Sequence, residues 1–156
     1  MSKKVKDVSI SISNRKARFE YELLEVFTAG IQLQGTEIKS LRVGNANLAE
    51  AYCYVQQSEV WITGMYIAEY QYGSYMNHEP KRLRKLLLNK KEINKISSAL
   101  QNVGITLVPL KLYISDKGWA KIEIALAKGK KLHDKREDLK QKDDKRQMDR
   151  ALKKFK

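Results

Sequence analysis

Residues 105–127 read ITLVPLKLYISDKGWAKIEIALA, two apolar runs joined by a short polar turn. Polar and apolar side chains alternate from Trp119 to Ala127, which is the pattern of a strand with one buried face. Asp116-Lys117-Gly118 is typical of a hairpin turn, and Pro109 indicates a bulge or an edge position in the first strand. This stretch therefore predicts an antiparallel β-hairpin.

The chain before this hairpin predicts further short strands and few helices. The predicted strands are 9–13, 19–27 with a bulge, 31–33, 51–56 and 60–66, in addition to 105–114 and 119–127. The predicted helices are 36–42 and 82–100, the second of which Asn89 can interrupt by capping a new helix near Lys90. Strands dominate and do not alternate with helices, so we expect a mainly β fold. A small closed antiparallel barrel of about six strands with two or three helices, similar to the oligonucleotide-binding fold, fits best.

The end of the chain differs in composition from the rest. Residues 128–156 carry thirteen Lys and Arg against six Asp and Glu, with few large apolar side chains. Such a segment cannot offset the entropy of its own ordering. We therefore predict a folded domain over residues 1–128 and a basic tail over residues 129–156 that is disordered until a polyanion binds it.

The net charge of +13 restricts the partners. It favours nucleic acid first and an anionic membrane second, whereas a charge surplus that only aids solubility is the plain alternative. Cys53 is the single cysteine, which excludes an internal disulfide and a cysteine zinc site; its apolar neighbours indicate a small buried side chain. Because no apolar run is long enough for a membrane span or a signal peptide, we expect a cytoplasmic protein.

Residues suited to catalysis are few. The sequence has neither a Walker phosphate loop nor a Gly-x-Ser-x-Gly elbow. His78 and His133 lie in a polar loop and in the tail, where an exposed histidine is more often solvated or phosphate-facing than catalytic. We expect no catalytic residue, no metal, no cofactor and no enzymatic activity.

Residues suited to RNA are more numerous. Asn14, Arg15, Lys16 and Arg18 combine an amide with three cations, a set that binds phosphates and a base edge. Residues 81–85 place four cations at the start of the predicted helix 82–100, where they oppose the helix dipole. The tyrosines of residues 70–75 could stack on unpaired bases, although aromatic residues beside a hairpin are usually part of the core.

Several motifs in order resemble one family, the SsrA-binding protein (small protein B) family. They are residues 14–18 (NRKAR), 29–47 (AGIQLQGTEIKSLRVGNAN), 84–88 (RKLLL), 107–113 (LVPLKLY) and 127–136 (AKGKKLHDKR). The resemblance extends from about Ser13 to Leu152. Each motif alone is weakly specific, whereas the whole ordered set is strongly specific.

The resemblance implies a non-catalytic adaptor of ribosome rescue. It implies that an oligonucleotide-binding-like barrel binds the tRNA-like domain of transfer-messenger RNA and delivers this RNA to stalled ribosomes for trans-translation. The implied partners are that RNA, the ribosome and, indirectly, elongation factor Tu. On the ribosome, the implied contacts are with the decoding centre and with the mRNA channel, where rRNA lines the path of the tail. No membrane partner is implied.

The resemblance and the charge pattern together give two sets of candidate site residues. Family motifs place Asn14, Leu87, Asn89 and Lys121 at the RNA. Charge and neighbourhood add Arg15, Lys16, Arg18, Lys39, Arg42 and Lys85, and the second motif contributes Glu37. The ribosome-facing set is Lys130, Lys131, His133, Asp134, Lys135 and Arg136, followed by Met148 and Leu152, which with Phe155 form one stripe of a tail helix.

This chain departs from the family pattern at one position near the RNA-facing set. The resemblance implies an acidic residue just before the Ala29-Gly30 pair, and Thr28 stands there instead. Two other functions stay open at this point. One is a generic single-stranded RNA-binding protein of the cold-shock kind, which would not prefer folded RNA. The other is a nuclease on a small barrel, for which the sequence lacks an acid–base or metal cluster.

Overall fold

A computed structural model describes residues 10–73, 76–130 and 140–150. The strands are β1 (Ser11–Ser13), β2 (Tyr21–Ile31), β3 (Ala46–Asn47), β4 (Tyr52–Gln56), β5 (Glu59–Thr63), β6 (Tyr66–Ile67), β7 (Arg84–Leu87), β8 (Ile105–Ile114) and β9 (Ala120–Gly129). The helices are α1 (Arg15–Glu20), α2 (Gly35–Arg42) and α3 (Lys90–Leu100), and residues 140–150 form a further helix, α4.

Six of the strands form a closed ring. The hydrogen-bonded order is β8-β4-β5-β7-β2-β9, and β9 returns to β8 with every pairing antiparallel. The ring closes between β4 and β8 at the buried pair Cys53 and Leu107. The prediction of a mainly β, closed antiparallel fold is confirmed.

The β8–β9 hairpin has the turn and the irregularity that its sequence predicts. Gly118 adopts a φ of +84°, which glycine tolerates better than other residues. The register shifts between Pro109 and Lys111, so β8 bends there. After the bend, residues Lys111–Tyr113 of β8 pair with β1. Before the bend, Leu107 pairs with β4 along the same edge of β8. The bulge therefore lets one strand join two neighbours on the same edge.

The hydrophobic core lies inside the ring and extends under two helices. α2 contributes Leu41 and α3 contributes Ile96, both fully buried. The Cys53 side chain is buried as predicted, and desolvation raises the pKa of its thiol. The other large core residues are Phe27, Ile31, Leu48, Val60, Ile62, Met65, Ile67, Leu86, Leu112, Ile122, Ile124 and Leu126.

A second, smaller core lies under α1. Ala17 of this helix packs against Val108, Leu110, Ala125 and Ala127. The sequence predicted an amide and three cations for RNA at residues 14–18 but no helix there. The helix is only six residues long, which leaves little room for a periodic pattern.

The prediction of a helix over residues 82–100 is wrong in its first half. Residues Arg84–Leu87 form β7, which pairs with β5 and β2, and the helix begins at Lys90 after the Asn89 cap. The run of cations at residues 81–85 therefore does not oppose a helix dipole. One of these cations, Arg84, is instead completely buried.

Arg84 is buried because Glu37 of α2 lies opposite it. The Arg84 Nε donates to Glu37 Oε2, and Arg82 Nη2 donates to Glu37 Oε1 at 2.5 Å. Arg84 also donates to three backbone carbonyl oxygens, those of Met65 (2.8 Å), Arg82 (3.0 Å) and Pro80 (3.1 Å). These bonds satisfy the buried charges and fix α2 to the sheet and to the loop before β7.

Glu37 therefore leaves the set of candidate RNA contacts. Its side chain is 0% exposed, so it cannot reach a ligand in this structure. Burial raises the pKa of this carboxyl, but the hydrogen bonds from the Gln34 backbone and from Arg82 and Arg84 lower it more, and the net pKa is below its ordinary value. The carboxylate is thus held ionised in the interior.

His78 also differs from its predicted environment. The sequence indicated a solvated or phosphate-facing side chain, whereas the ring is only 3% exposed. The His78 Nε2 donates to the Ile67 carbonyl oxygen at 2.9 Å, and Nδ1 lies 2.8 Å from Thr36 Oγ1. His78 connects its loop to β6 and to the start of α2.

We predict that Glu37→Gln and Arg84→Ala each destabilise the fold by about 3–5 kcal/mol, because each leaves a buried charge without its partner. Urea denaturation followed by circular dichroism measures this free energy of unfolding. The matched control is Glu59→Gln at the partly exposed pair Lys85–Glu59 (2.7 Å), which we expect to cost about 1 kcal/mol or less. Equal losses in the two pairs would contradict the stabilising role of the buried one.

Because the pKa of Glu37 is lowered, the direction in which the stability of the fold changes with pH can be predicted. A carboxyl whose pKa is lower in the folded state contributes stability above its unfolded pKa and loses it on acidification through the folded pKa. The wild type should therefore lose stability as the pH falls below about 4.3. Glu37→Gln should lose less over the same range, and parallel pH curves for the two proteins would exclude this assignment.

Candidate nucleic-acid interface

Three neighbouring strands bring Leu87, Gly30 and Lys121 into one row. Gly30 of β2 pairs with Leu87 of β7 on one side and with Lys121 of β9 on the other. Directly paired residues project on the same face of a sheet, and Lys121 in turn pairs with Tyr113 of β8. The sequence placed Leu87 and Lys121 at RNA from separate motifs, and the structure brings them together on the outer face of the ring.

Gly30 allows Leu87 to lie across this row. A Cβ atom added at Gly30 would stand 3.3 Å from the Leu87 Cβ, so a side chain there would displace Leu87. The Leu87 side chain remains 52% exposed on the outer face. An exposed leucine beside a lysine suits the face of a ribose or base together with its phosphate.

The next row of the same face carries a carboxylate. Thr28 of β2 pairs with Glu123 of β9, and Glu123 pairs with Lys111 of β8. Thr28 is exposed, and the Lys111 Nζ lies 5.2 Å from the centroid of the Tyr113 ring. We call the two rows, Leu87-Gly30-Lys121-Tyr113 and Thr28-Glu123-Lys111, the outer sheet face.

Lys85 and Asn89 extend this face along β7 and past its end. Lys85 lies two residues before Leu87 and therefore on the same side, with its Nζ 2.7 Å from Glu59 Oε1. Asn89 is exposed and caps α3, since its Oδ1 accepts a hydrogen bond from Glu92 N at 2.9 Å. Within the described ranges its Nδ2 donates to no protein atom, so the amide can serve the helix and still offer a donor.

Asn14 is not part of this surface. Its side chain is buried, its Oδ1 accepts from Ala17 N at 3.2 Å, and its Nδ2 donates to the carbonyl oxygens of Pro109 (2.9 Å) and Leu48 (3.3 Å). Both ends of the amide are engaged inside the protein. Asn14 therefore caps α1 and fixes it to β8, which positions the cations that follow it in sequence.

Two of the three cations that follow Asn14 line an open cleft. Arg15, Lys16 and Arg18 are exposed on α1. Arg15 and Arg18 line a cleft of about 540 Å³ between α1, the end of β9 and α4, whose other lining residues are Phe19, Lys130, Gln141, Lys142 and Lys145. Five of the seven lining side chains are cationic, so the cleft is an electropositive surface distinct from the outer sheet face.

Lys39 and Arg42 lie on α2, and Lys39 lies beside an aromatic group. Both side chains are exposed, and Lys39 Nζ lies 5.3 Å from the centroid of the Tyr70 ring. Tyr70 in turn meets Tyr72 edge to face at 5.7 Å, and Tyr72 is 79% exposed. Exposed aromatic rings with an adjacent cation can stack on bases, which remains a prediction for these tyrosines.

The ribosome-facing residues are mostly outside the described part of the chain. Lys131, His133, Asp134, Lys135, Arg136 and Leu152 lie outside it. The Lys130 backbone N–H donates to the Glu20 carbonyl oxygen at 2.9 Å, and Met148 is exposed on α4. The body therefore continues to Lys130, two residues past the predicted boundary, and the ordering of the tail on binding stays a prediction.

Other kinds of site were also sought in the described residues. These contain no group of three or more His, Cys, Asp or Glu side chains that could hold a metal ion. Across the same residues, no helix has the length and apolar character needed to span a membrane.

Known proteins resemble this chain over nearly its whole length. The SmpB protein family model matches residues 11–154. An SsrA-binding protein of Phocaeicola vulgatus is 56% identical over 149 residues, covering 96% of this chain and 99% of the relative. An SsrA-binding protein of Nostoc is 50% identical over 156 residues, covering 99% of this chain and 100% of the relative.

The fold has a counterpart among solved structures as well. A chain from a structure described as "tmRNA-SmpB: a journey to the center of the bacterial ribosome" matches with a TM-score of 0.67 and 44% sequence identity. The match covers 79% of this chain and 86% of that chain. From the family model, the relatives and the shared fold together, we conclude that the chain belongs to the SmpB protein family.

Proposed function

We propose that this protein is a non-catalytic RNA-binding adaptor of trans-translation. It binds the tRNA-like domain of transfer-messenger RNA and delivers that RNA to stalled ribosomes in the cytoplasm. The peptide on the ribosome is then tagged and the ribosome is released. Elongation factor Tu takes part indirectly, through the same RNA.

The arrangement of side chains on the outer sheet face is the observation that most directly supports this proposal. Leu87 and Lys121, which the family motifs assign to RNA, lie in one row across β7, β2 and β9. Lys85 and Asn89 lie at its border. Because these groups are held by three hydrogen-bonded strands, they present a fixed shape, which suits recognition of a folded RNA.

Charge supports the same function but does not account for selectivity. A protein with a net charge of +13 binds any polyanion to some degree. The cations of α1 and of α4 supply such sequence-independent contacts. Selection of one folded RNA therefore depends on the side chains of the outer sheet face.

Unstructured RNA provides the first test. We expect the protein to bind the folded tRNA-like domain more tightly than a single-stranded oligomer of equal length in a gel-shift assay. If six to ten phosphates are neutralised, affinity for the folded RNA should fall by about 10³–10⁵ between 50 and 200 mM salt. Equal affinity for the two RNAs would instead favour a cold-shock-like single-strand binder.

A second test separates the body from the tail. We expect a chain ending at Lys130, where the last described body contact lies, to keep most of its affinity for the tRNA-like domain and to lose peptide tagging on stalled ribosomes. In the full-length protein, Lys→Ala changes at Lys142 and Lys145 should reduce tagging more than RNA affinity. The matched control is Lys90→Ala and Lys91→Ala on α3, an equal loss of exposed charge that should leave tagging unchanged.

Loss of RNA binding on removal of the tail would contradict the assignment of RNA binding to the body and of tagging to the tail.

A further inference from the structure

Glu123 stands out on the outer sheet face because it is an acid on a basic RNA-binding surface. It lies on β9 between Thr28 of β2 and Lys111 of β8, and Lys121 is two residues before it on the same side. The side chain is partly exposed. A negative charge here repels the phosphates that the neighbouring lysines attract.

The Glu123 carboxylate has no cationic partner among the described residues. Four other carboxylates, those of Glu25, Glu37, Glu50 and Glu59, form ion pairs within 4.0 Å, whereas Glu123 forms none. Its direct neighbour Lys111 is available for one, yet the Lys111 Nζ lies over the Tyr113 ring. Both carboxylate oxygens therefore remain open as acceptors.

An open carboxylate selects between the parts of an RNA. Phosphate oxygens only accept hydrogen bonds, whereas ribose 2′-hydroxyls and the N–H groups of bases donate them. A carboxylate thus disfavours a phosphate at its own position and favours a donor there. Hydrogen bonds to charged groups are among the stronger ones, so one such contact can offset the repulsion.

We propose, on the basis of the function proposed above, that Glu123 is a specificity-determining residue that accepts a hydrogen bond from a donor of the bound RNA. The donor is a ribose 2′-hydroxyl or a base N–H. The Thr28 hydroxyl contacts the same nucleotide, since directly paired residues hold their Cβ atoms about 4.5–5.5 Å apart. Lys121 and Lys111 on either side bind the adjoining phosphates.

The substitution Glu123→Gln tests the proposed hydrogen bond, because the two roles of Glu123 predict opposite changes in affinity for the folded RNA. It keeps the shape of the side chain and removes the charge. If Glu123 is only a repulsive charge, the variant should bind all RNA more tightly. If Glu123 accepts a hydrogen bond, the variant should bind the folded tRNA-like domain roughly tenfold more weakly and bind a random transcript of equal length as well as or better than the wild type.

Glu50→Gln is the matched control, since it also removes one exposed carboxylate, but away from the outer sheet face. It should leave the ratio of the two affinities unchanged. Tighter or unchanged binding of the folded RNA by Glu123→Gln would overturn the proposal. The wild type is measured alongside, so that a wild type without any preference for folded RNA would count against the proposed function instead.

A transposed variant provides a second, independent test. Thr28→Glu combined with Glu123→Thr returns a carboxylate to the same face, one strand away, and should recover part of the lost preference. If it binds no better than Glu123→Gln, the carboxylate is not the recognised group. RNA pools substituted with 2′-deoxynucleotides test a ribose donor, and pools with inosine for guanosine test the guanosine N2 amino group. The wild type should discriminate against the substitution that removes its donor, and Glu123→Gln should discriminate less, because an amide oxygen is a weaker acceptor than a carboxylate. Discrimination by both proteins alike would overturn the contact.

Discussion

The ion pair between Glu37 and Arg84 is the interaction on which the arrangement of the molecule depends. It joins α2 to β7 through the interior, and Arg84 also binds the carbonyl oxygens of Met65 and Pro80. β7 in turn carries Leu87 and pairs with β2 at Gly30. The position of Leu87 on the outer sheet face therefore depends on a buried contact between its own strand and Glu37, a residue distant in the chain.

The same separation between supporting and exposed residues recurs at α1. Asn14 uses its whole side-chain amide to cap the helix and to hold it on β8, and the exposed cations follow it in sequence. A family motif can thus contain one residue that orients the surface and others that form it. Loss of RNA binding on substitution of Asn14 would not by itself show a contact with RNA.

Local patterns in the sequence predicted most of the fold. The β8–β9 hairpin, the strands β4 and β5 and the bulge in β2 all follow from alternation and turn residues. Residues 84–88 did not, because a short apolar run next to a clear helix is compatible with either structure. The burial of Arg84 could not be predicted from local sequence either, since its partner Glu37 lies 47 positions away.

The site residues Leu87 and Lys121 came from family motifs, but only the strand register across Gly30 places them side by side. Glu123 was missed because its neighbours Thr28 and Lys111 are distant in sequence.

Closure of the ring at Cys53 and Leu107 has a consequence for the behaviour of the protein in solution. Each of the six strands has a hydrogen-bonded neighbour on both sides, although β2 meets β7 only at Gly30 and Ile31 and β4 meets β8 only at Cys53. A charged molecule that gathers on a polyanion reaches high local concentration, where open sheet edges promote aggregation. When copies gather along RNA, a strand from another chain can therefore add only where the ring is unpaired, on β2 and β4, and not along the paired edges.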